Sequence, residues 1–287
     1  MTNTLIPAGT IVVGLDGSPS AARALDWAIA QAVREHRPLT LAHAIDHVSS
    51  LWVDPSGVSR PEIVEVVHED AQEILRSARA HVESKAPGLV VHEASWSTDP
   101  RPMLLDLAGS AHLVVVGSRG RGPVTSLLLG SVGVAVIRHA TCPVVVVRPT
   151  EHGAVRHGVL VGADGRPSSR ETVEYAYLQA SLHDLPLTIM HGPRGMVGSE
   201  STEELRLQAA EPLSGLAEKY PDVRARLVVA TALIDEELIL ASERMNLIVL
   251  GAHHGGRLSA LVNGSVAQIV VEHAHCPVAV VPVVHEG

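Results

Sequence analysis

Short apolar runs alternate with longer amphipathic segments along the whole chain. The runs are rich in Val, Ile and Leu, which is typical of parallel strands buried on both faces. In the first half of the chain they are Ile11–Leu15, Leu39–Ala44, Leu89–Ala94, Leu113–Val116 and Val144–Val147. Helical patterns lie between them at Ser20–His36, Pro61–Lys85, Arg101–Ala108 and Gly130–His139. This alternation predicts an α/β fold with a doubly wound, Rossmann-like parallel sheet.

The pattern occurs twice, because segments of the first half return in the second. The repeated pairs include Ile11–Ser20 with Val159–Ser168, and Val114–Ser118 with Ile248–Ala252. The difference in residue number between equivalent positions of the two copies is smaller after the second strand than before it. The first copy therefore carries about 14 extra residues around Asp46–Pro61. A repeat of this length is a duplicated domain, since solenoid repeats run about 20–50 residues. We therefore expect two tandem domains, 1–150 and 151–287.

Composition excludes several classes of function. The net charge is −9 with His counted as neutral, and no basic run is present, which argues against nucleic-acid binding. No stretch of about 20 apolar residues occurs, and the N-terminus lacks the features of a signal peptide. Only two cysteines are present, so no disulfide framework is implied. We expect a cytoplasmic protein that binds neither nucleic acid nor a membrane.

Two segments that follow predicted strands carry candidate chemistry. Gly14-Leu-Asp16-Gly-Ser18 places a carboxylate directly after the first strand, and a glycine-rich loop runs from Gly117 to Ser131 at the start of a helix. Ligands of open α/β sheets lie beyond the carboxyl ends of the strands. Glycines let backbone N–H groups approach an anion, and a helix start presents free donors. The loop is not a P-loop, since Gly-Lys-Ser/Thr is absent, and no dinucleotide fingerprint follows the first strand.

The combined signature resembles the universal stress protein family. It consists of the spacing Gly-x2-Gly-x9-Gly-Ser in the loop, Asp16 at the tip of the first strand, and the terminal strand that begins at Cys142. The likeness covers nearly the whole chain as two tandem domains. In ATP-binding members it implies that the aspartate contacts the nucleoside, that the backbone after the second strand takes the adenine, and that the loop holds the phosphates. The implied nucleotide-binding residues of the first copy are Gly14, Asp16, Ala44, Gly117, Gly120, Gly130, Ser131 and Val132.

The second copy departs from this signature at one position. The residues that match are Gly162, Asp164, Gly192, Gly251, Gly264, Ser265 and Val266. His254 stands where the second glycine of the motif is expected. A side chain there would occupy space next to the phosphates or demand backbone angles that only glycine adopts cheaply. We expect the second site to be weaker than the first, or empty.

Simpler interpretations compete with these assignments. Asp-Gly is a common turn pair, although its recurrence at both strand tips favours a binding role for Asp16 and Asp164. The loop glycines could serve only a tight strand-to-helix connection. Histidines 253, 254, 273 and 275 with Cys276 could ligate zinc, but their spacing matches no ligand pattern, and we predict no metal site. Cys142 and Cys276 precede proline and an apolar strand, which is typical of buried, inert thiols.

The favoured hypothesis is an ATP-binding regulatory or sensing module of the stress response, with Mg²⁺ or Mn²⁺ bridging the phosphates. The alternative is a slow nucleotide hydrolase or an adenylyl-transferring enzyme on the same fold. No catalytic motif is present, so at most a weak ATPase is indicated, and Arg119 and Arg121 could stabilise phosphate charge or simply bind it. A third hypothesis is that the protein is a scaffold that binds no nucleotide.

The resemblance also implies a mode of assembly. It implies that the terminal strands Val144–Val147 and Val278–Val281 pair antiparallel between the two copies, which would form an internal pseudo-dimer. The whole protein could then form a homodimer, although the sequence does not require it.

Overall fold

The structure is a computed structural model, and it describes residues 6–45, 61–120, 129–149, 155–164, 169–192, 215–252 and 266–283. The chain divides into two compact units, Met1–Val147 and Arg148–Gly287. The segment in which the extra residues of the first copy were expected lies largely outside the described residues.

The first unit is a five-stranded parallel sheet with helices between its strands. The strands are β1 (Ile11–Gly14), β2 (Leu39–Ala44), β3 (Val91–Trp96), β4 (Leu113–Gly117) and β5 (Val144–Val147). The helices are α1 (Pro19–Glu35), α2 (Pro61–Lys85), α3 (Pro100–Ala108) and α4 (Ser131–His139). The strand order is β3-β2-β1-β4-β5, and all four pairings are parallel. The doubly wound α/β fold expected from the alternation is therefore confirmed.

The second unit has the same strand order. Its strands are β6 (Val159–Ala163), β7 (Leu187–His191), β8 (Ala225–Val229), β9 (Leu247–Ala252) and β10 (Val278–Pro282). Its helices are α5 (Ser169–Leu182), α6 (Leu216–Lys219), α7 (Ile234–Ser242) and α8 (Val266–His273). The order is β8-β7-β6-β9-β10, again with parallel pairing throughout.

Buried aliphatic strands form the core of each unit. In the first unit β1, β4 and β5 contribute valine side chains that are almost fully buried, and β6, β9 and β10 do the same in the second. Such runs can be apolar at every position because helices cover both faces of a parallel sheet.

Several predicted boundaries differ from the structure by one or two residues, and two of these differences have a local reason. The helical pattern predicts a start at Ser20, but α1 begins at Pro19 with Ser18 as its cap, since the Ser18 hydroxyl accepts the Ala21 N–H at 3.1 Å and Pro19 then occupies the first turn. The third strand begins at Val91 rather than Leu89. Leu89 belongs to a turn in which its N–H donates to the Ala86 carbonyl, and so it does not enter the ladder.

A charged cluster holds the C-terminal end of α1 against the amino edge of the first sheet. The Glu35 side chain is only 6% exposed, and its Oε2 lies 3.0 Å from Arg37 Nε and 2.7 Å from His112 Nε2. The Gln31 amide donates to Oε1 of the same carboxylate, and the Arg37 guanidinium also donates to the Gly9 carbonyl. The cluster therefore joins α1 to the segments that precede β1 and β4.

Burial and hydrogen bonding act in opposite directions on Glu35. Burial alone would raise the pKa of the Glu35 carboxyl, but the contacts from His112 and Gln31, with the charge of Arg37, lower it below its usual 4.5. A carboxyl whose pKa is lower in the folded state stabilises the fold at pH above 4.5, and this contribution is lost as the pH falls through the folded-state pKa.

We expect Glu35→Gln to lower the free energy of unfolding at pH 7 by about 1–2 kcal/mol, because it leaves the Arg37 guanidinium and the His112 ring without their carboxylate. The variant should also lose the wild-type fall in stability below pH 4.5. Urea unfolding followed by tryptophan fluorescence tests this on the first unit, since Trp27, Trp52 and Trp96 all lie in the first half of the chain.

The matched control for this experiment is Glu73→Gln. Glu73 pairs with Arg76, but both side chains are more than half exposed, so the change should have little effect. If wild type and Glu35→Gln lose the same stability at acid pH, the cluster is not the cause of that loss.

Candidate functional site

The candidate site of the first unit lies where its strand order reverses. Connections from β1 lead toward β2 and β3, whereas those from β4 lead toward β5, so a crevice opens between the carboxyl ends of β1 and β4. Asp16 follows β1, and the glycine loop follows β4. The two motifs singled out in the sequence are therefore neighbours in space.

The turn after β1 fixes the position of the Asp16 carboxylate. Its Oδ1 accepts the backbone N–H of Ser18 at 2.9 Å, which closes an Asx turn ahead of α1. Gly17 between them has φ +75°, a backbone conformation that suits glycine. The half-buried carboxylate is thus held at the strand tip by the chain that begins the next helix.

The loop after β4 approaches this turn so closely that a Cβ at either of its first two motif glycines would force atoms to shift. A Cβ at position 120 would lie 2.6 Å from Asp16 Oδ2, and a Cβ at position 117 would lie 2.7 Å from the carbonyl carbon of Ser20. The backbone N–H of Arg119 donates to the Ser20 hydroxyl at 3.3 Å. The first two motif glycines therefore pack the loop against the aspartate and the first turn of α1.

The third motif glycine closes the loop onto α4. Gly130 donates its N–H to the Ser118 carbonyl at 3.0 Å, and its own carbonyl accepts the Val134 N–H at 3.1 Å. The N–H groups of Ser131 and Val132 precede this first intrahelical bond, so they are donors at a positive helix end. Of the loop itself, residues 121–128, with Arg121, lie outside the described residues.

Ser118 contributes a buried hydroxyl that the motif does not contain. Its side chain is 1% exposed, and in the part of the chain that the structure describes its Oγ has no hydrogen-bond partner. A buried polar group without a partner costs free energy and calls for an explanation. Its position between two motif glycines makes it a candidate ligand-binding group.

A histidine ties the end of the second strand to the first in both units. His43 Nδ1 lies 2.7 Å from the Leu15 carbonyl oxygen, and His191 Nδ1 lies 2.9 Å from that of Ala163. The histidine precedes the expected adenine position, which is Ala44 in the first unit and Gly192 in the second. The repeat alignment contained this signal, since the two histidines correspond, but sequence reasoning gave them no role.

The second site is built from the same elements with different contacts. Asp164 follows β6, but its carboxylate accepts the side-chain hydroxyl of Ser169, the first residue of α5. Gly251 lies in β9, and Val266 begins α8, while Gly264, Ser265 and His254 lie outside the described residues. The spacing of motif glycines in this copy is therefore untested by the structure.

Three of the glycines assigned from the resemblance face packed side chains. A Cβ at Gly14 would lie 3.5 Å from a methyl of Leu104 in α3, and one at Gly162 would lie 2.8 Å from a methyl of Leu250. A Cβ at Gly192 would lie 3.1 Å from Ile234 Cβ at the start of α7. Gly162 thus lets the Leu250 side chain pack tightly behind the crevice, whereas Gly14 has room for a Cβ in ordinary van der Waals contact.

The two cysteines, and the described histidines considered for zinc, show no metal-binding arrangement in the described part of the chain. Cys142 and Cys276 are buried free thiols, and burial raises the pKa of Cys142 to about 11 and that of Cys276 to about 12. They are therefore inert thiols, as expected. Within the described ranges, no three His, Cys, Asp or Glu side chains are grouped so that they could hold a metal ion, and His253 lies outside those ranges.

The fold and the loop define a protein with two doubly wound α/β domains, the first with an aspartate and a glycine loop at its switch point. The sequence profile of the universal stress protein family matches residues 8–148 and 156–282. The chain belongs to this family. Membership supports a role in the stress response.

Relatives and solved structures agree with this assignment. The chain is 32% identical to a universal stress protein of Mycolicibacterium smegmatis, over 94% of this chain and 96% of the relative. It is 33% identical to one from Mycobacterium tuberculosis, over 94% of this chain and 95% of the relative. A universal stress protein structure from Archaeoglobus fulgidus superposes with a TM-score of 0.74 at 17% identity, covering 98% of both chains, which shows the shared fold.

Among the described residues, no helix is both long enough and apolar enough to cross a membrane.

We expect Gly117→Ala to lower the free energy of unfolding by about 1–3 kcal/mol, because the new methyl group meets backbone atoms of Ser20 that cannot move aside. The matched control is Gly130→Ala. Its φ is −71° and its nearest neighbours would be 4.0 Å from the new Cβ, so its cost should be limited to the poorer N-capping of alanine, about 0.5–1 kcal/mol. Chemical denaturation measures both; equal stabilities would contradict the close approach of the loop to α1.

Proposed function

We propose that the first domain binds ATP and that the bound nucleotide makes the protein a regulatory or sensing module of the stress response. The observation that carries this proposal is the contact between Gly120 and Asp16 at the switch point. Ligands of doubly wound sheets bind in this crevice, between a strand-tip carboxylate and a helix N-terminus. In this domain the motif glycines, which have no Cβ, allow the loop that leads to the helix N-terminus to approach the carboxylate.

The phosphate side of the crevice has suitable donors. The backbone N–H groups of Ser131 and Val132 start α4, and an anion there gains from both the free donors and the helix dipole. The buried Ser118 hydroxyl would find a partner in a phosphate oxygen. The exposed Arg119 side chain adds positive charge to the loop in a chain whose net charge is −9. We infer that these groups bind and orient the phosphates.

The nucleoside side differs in chemistry. Asp16 is a hydrogen-bond acceptor held at a strand tip, which suits a ribose hydroxyl better than a phosphate. Ala44 ends β2, and its backbone lies beside the crevice for an adenine edge. A divalent cation such as Mg²⁺ or Mn²⁺, bound with the nucleotide, would neutralise part of the phosphate charge.

We expect Gly120→Ala to weaken ATP binding at least about tenfold, because its methyl group would lie 2.6 Å from Asp16 Oδ2 and displace the carboxylate. Gly120→Glu should abolish binding in the first domain, since it adds a like charge beside the phosphates. Isothermal titration calorimetry measures affinity and stoichiometry, and circular dichroism checks the fold.

The control for this pair is Gly109→Ala. Gly109 has φ −63° at the end of α3, where alanine is tolerated, so ATP affinity should not change. Retained affinity and stoichiometry in Gly120→Glu would contradict the assignment of the loop.

We infer that the second domain binds nucleotide more weakly. His254 replaces a motif glycine there, and Asp164 is engaged by the Ser169 hydroxyl. We expect two classes of site in calorimetry, and His254→Gly should strengthen the weaker one. Two sites of equal affinity, neither affected by that substitution, would contradict this inequality.

Turnover separates the regulatory proposal from an enzymatic one. A hydrolase or adenylyl-transferring enzyme would turn over ATP at rates typical of enzymes, about 1 per second or more. Sustained hydrolysis at such a rate would favour the enzyme, and no titratable affinity with no co-purifying nucleotide would favour a scaffold. Mass spectrometry of the ligand released from gently purified protein tests this directly. Pairing between the two copies, a homodimer and a cytoplasmic location stay predictions.

A further inference from the structure

Trp96 is the last residue of β3 and lies beside the expected adenine position. In the parallel ladder between β2 and β3, Ala44 pairs with Trp96. The backbone of Trp96 is fixed there, because its carbonyl accepts the N–H groups of Ile45 at 2.8 Å and Thr98 at 3.1 Å. No sequence motif of the first copy pointed to this residue.

The indole N–H of Trp96 is a buried donor that has no partner among the described residues. The Nε1 atom is shielded from solvent, and no described residue accepts a hydrogen bond from it. An indole N–H can only donate, so its partner must be an acceptor atom. A buried donor of this kind is costly, and a structure that keeps one is explained when a ligand supplies the acceptor.

The side of the sheet on which Trp96 lies follows from the register. Glu93 faces α2, where Arg79 Nε donates to its carboxylate at 2.5 Å, so Trp96, three residues later, lies on the opposite face. That face is covered by α3, since a Cβ at Gly14 would contact Leu104 of α3, and Gly14 aligns with Ala42 and Ala94 across the sheet. Helix α4, whose start borders the crevice, packs against α3 on this same face.

The second domain lacks this group. Continuing the β7–β8 register by one position beyond His191 and Val229 places Gly192 opposite Ala230. Ala230 is therefore the counterpart of Trp96, and its methyl group cannot donate a hydrogen bond. Any recognition through an indole is confined to the first domain.

We propose that Trp96 determines base specificity in the first domain, by donating its indole N–H to a ring nitrogen of the bound adenine. This inference rests on the proposed ATP binding. Adenine carries acceptor nitrogens at its ring positions 1, 3 and 7, and one of them would satisfy the buried donor. The second domain, with Ala230 at this position, binds without that discrimination.

The test compares Trp96→Phe with wild type by calorimetry, using ATP and its 1-deaza, 3-deaza and 7-deaza analogues. Phe keeps an aromatic ring but removes the donor, so ATP affinity at the first site should fall about tenfold. One of the three analogues should bind wild type about tenfold more weakly than ATP does. For Trp96→Phe that analogue should show no further loss, because the same hydrogen bond is already missing.

Trp27→Phe is the matched control, since Trp27 lies in α1 of the same domain and is also partly buried. It should keep wild-type ATP affinity. The melting temperature of ligand-free Trp96→Phe should stay within about 2–4 °C of wild type. If Trp96 has only a general structural role, Trp96→Phe should weaken the binding of all four nucleotides equally. Each analogue would then still bind more weakly than ATP by the same factor as in wild type.

Two results would overturn this proposal, and they are distinguishable. Wild-type protein that binds no ATP would remove the proposed function and this inference together. The role of Trp96 alone would be overturned if wild-type protein binds ATP and Trp96→Phe keeps the same affinity. It would also be overturned if each deaza analogue loses as much affinity with Trp96→Phe as it does with wild type.

Discussion

The close approach of the glycine loop to the first turn of α1 is the constraint on which the first site depends. Positions 117 and 120 have no room for a Cβ, because the backbone and hydroxyl of Ser20 and the carboxylate of Asp16 already occupy that space. The Arg119 N–H completes the contact by donating to Ser20. The same contact brings a strand-tip carboxylate and a helix N-terminus to one crevice, so the atoms that pack the loop against α1 are also the ones proposed to bind the ligand.

Helix α1 is held at both ends by different chemistry. At the carboxyl edge of the sheet, Ser18 caps the helix and Ser20 receives the loop. At the amino edge, the Glu35 carboxylate gathers Gln31, Arg37 and His112. The loop beside the first end contains the Ser118 hydroxyl, which has no partner among the described residues, whereas the second end is held by contacts to a single carboxylate. Stability at the amino edge can therefore offset the cost of unpaired groups at the carboxyl edge.

The two copies show how a duplicated domain can keep its fold while its site diverges. The histidine bridge between the second and first strands is retained at His43 and His191. The aspartate is retained as well, as Asp16 after β1 and Asp164 after β6. At the base side, the pair of Ala44 and Trp96 is replaced by Gly192 and Ala230. The histidine bridge is a contact within the fold, whereas the difference between Trp96 and Ala230 falls where the first domain is proposed to bind the base.

The sequence by itself determined the fold class, the duplication and the location of the crevice, because these depend on periodicity and on glycine spacing within short segments. The shift of β3 and the cap at Ser18 were missed, since each depends on hydrogen bonds that compete locally with the hydrophobic pattern. Only the tertiary structure drew attention to Ser20, Ser118 and Trp96. Their hydrogen-bond partners among the described residues, or the lack of one there, are set by strands and loops that are far apart in the chain, and no pattern along one segment encodes the register in which those segments meet.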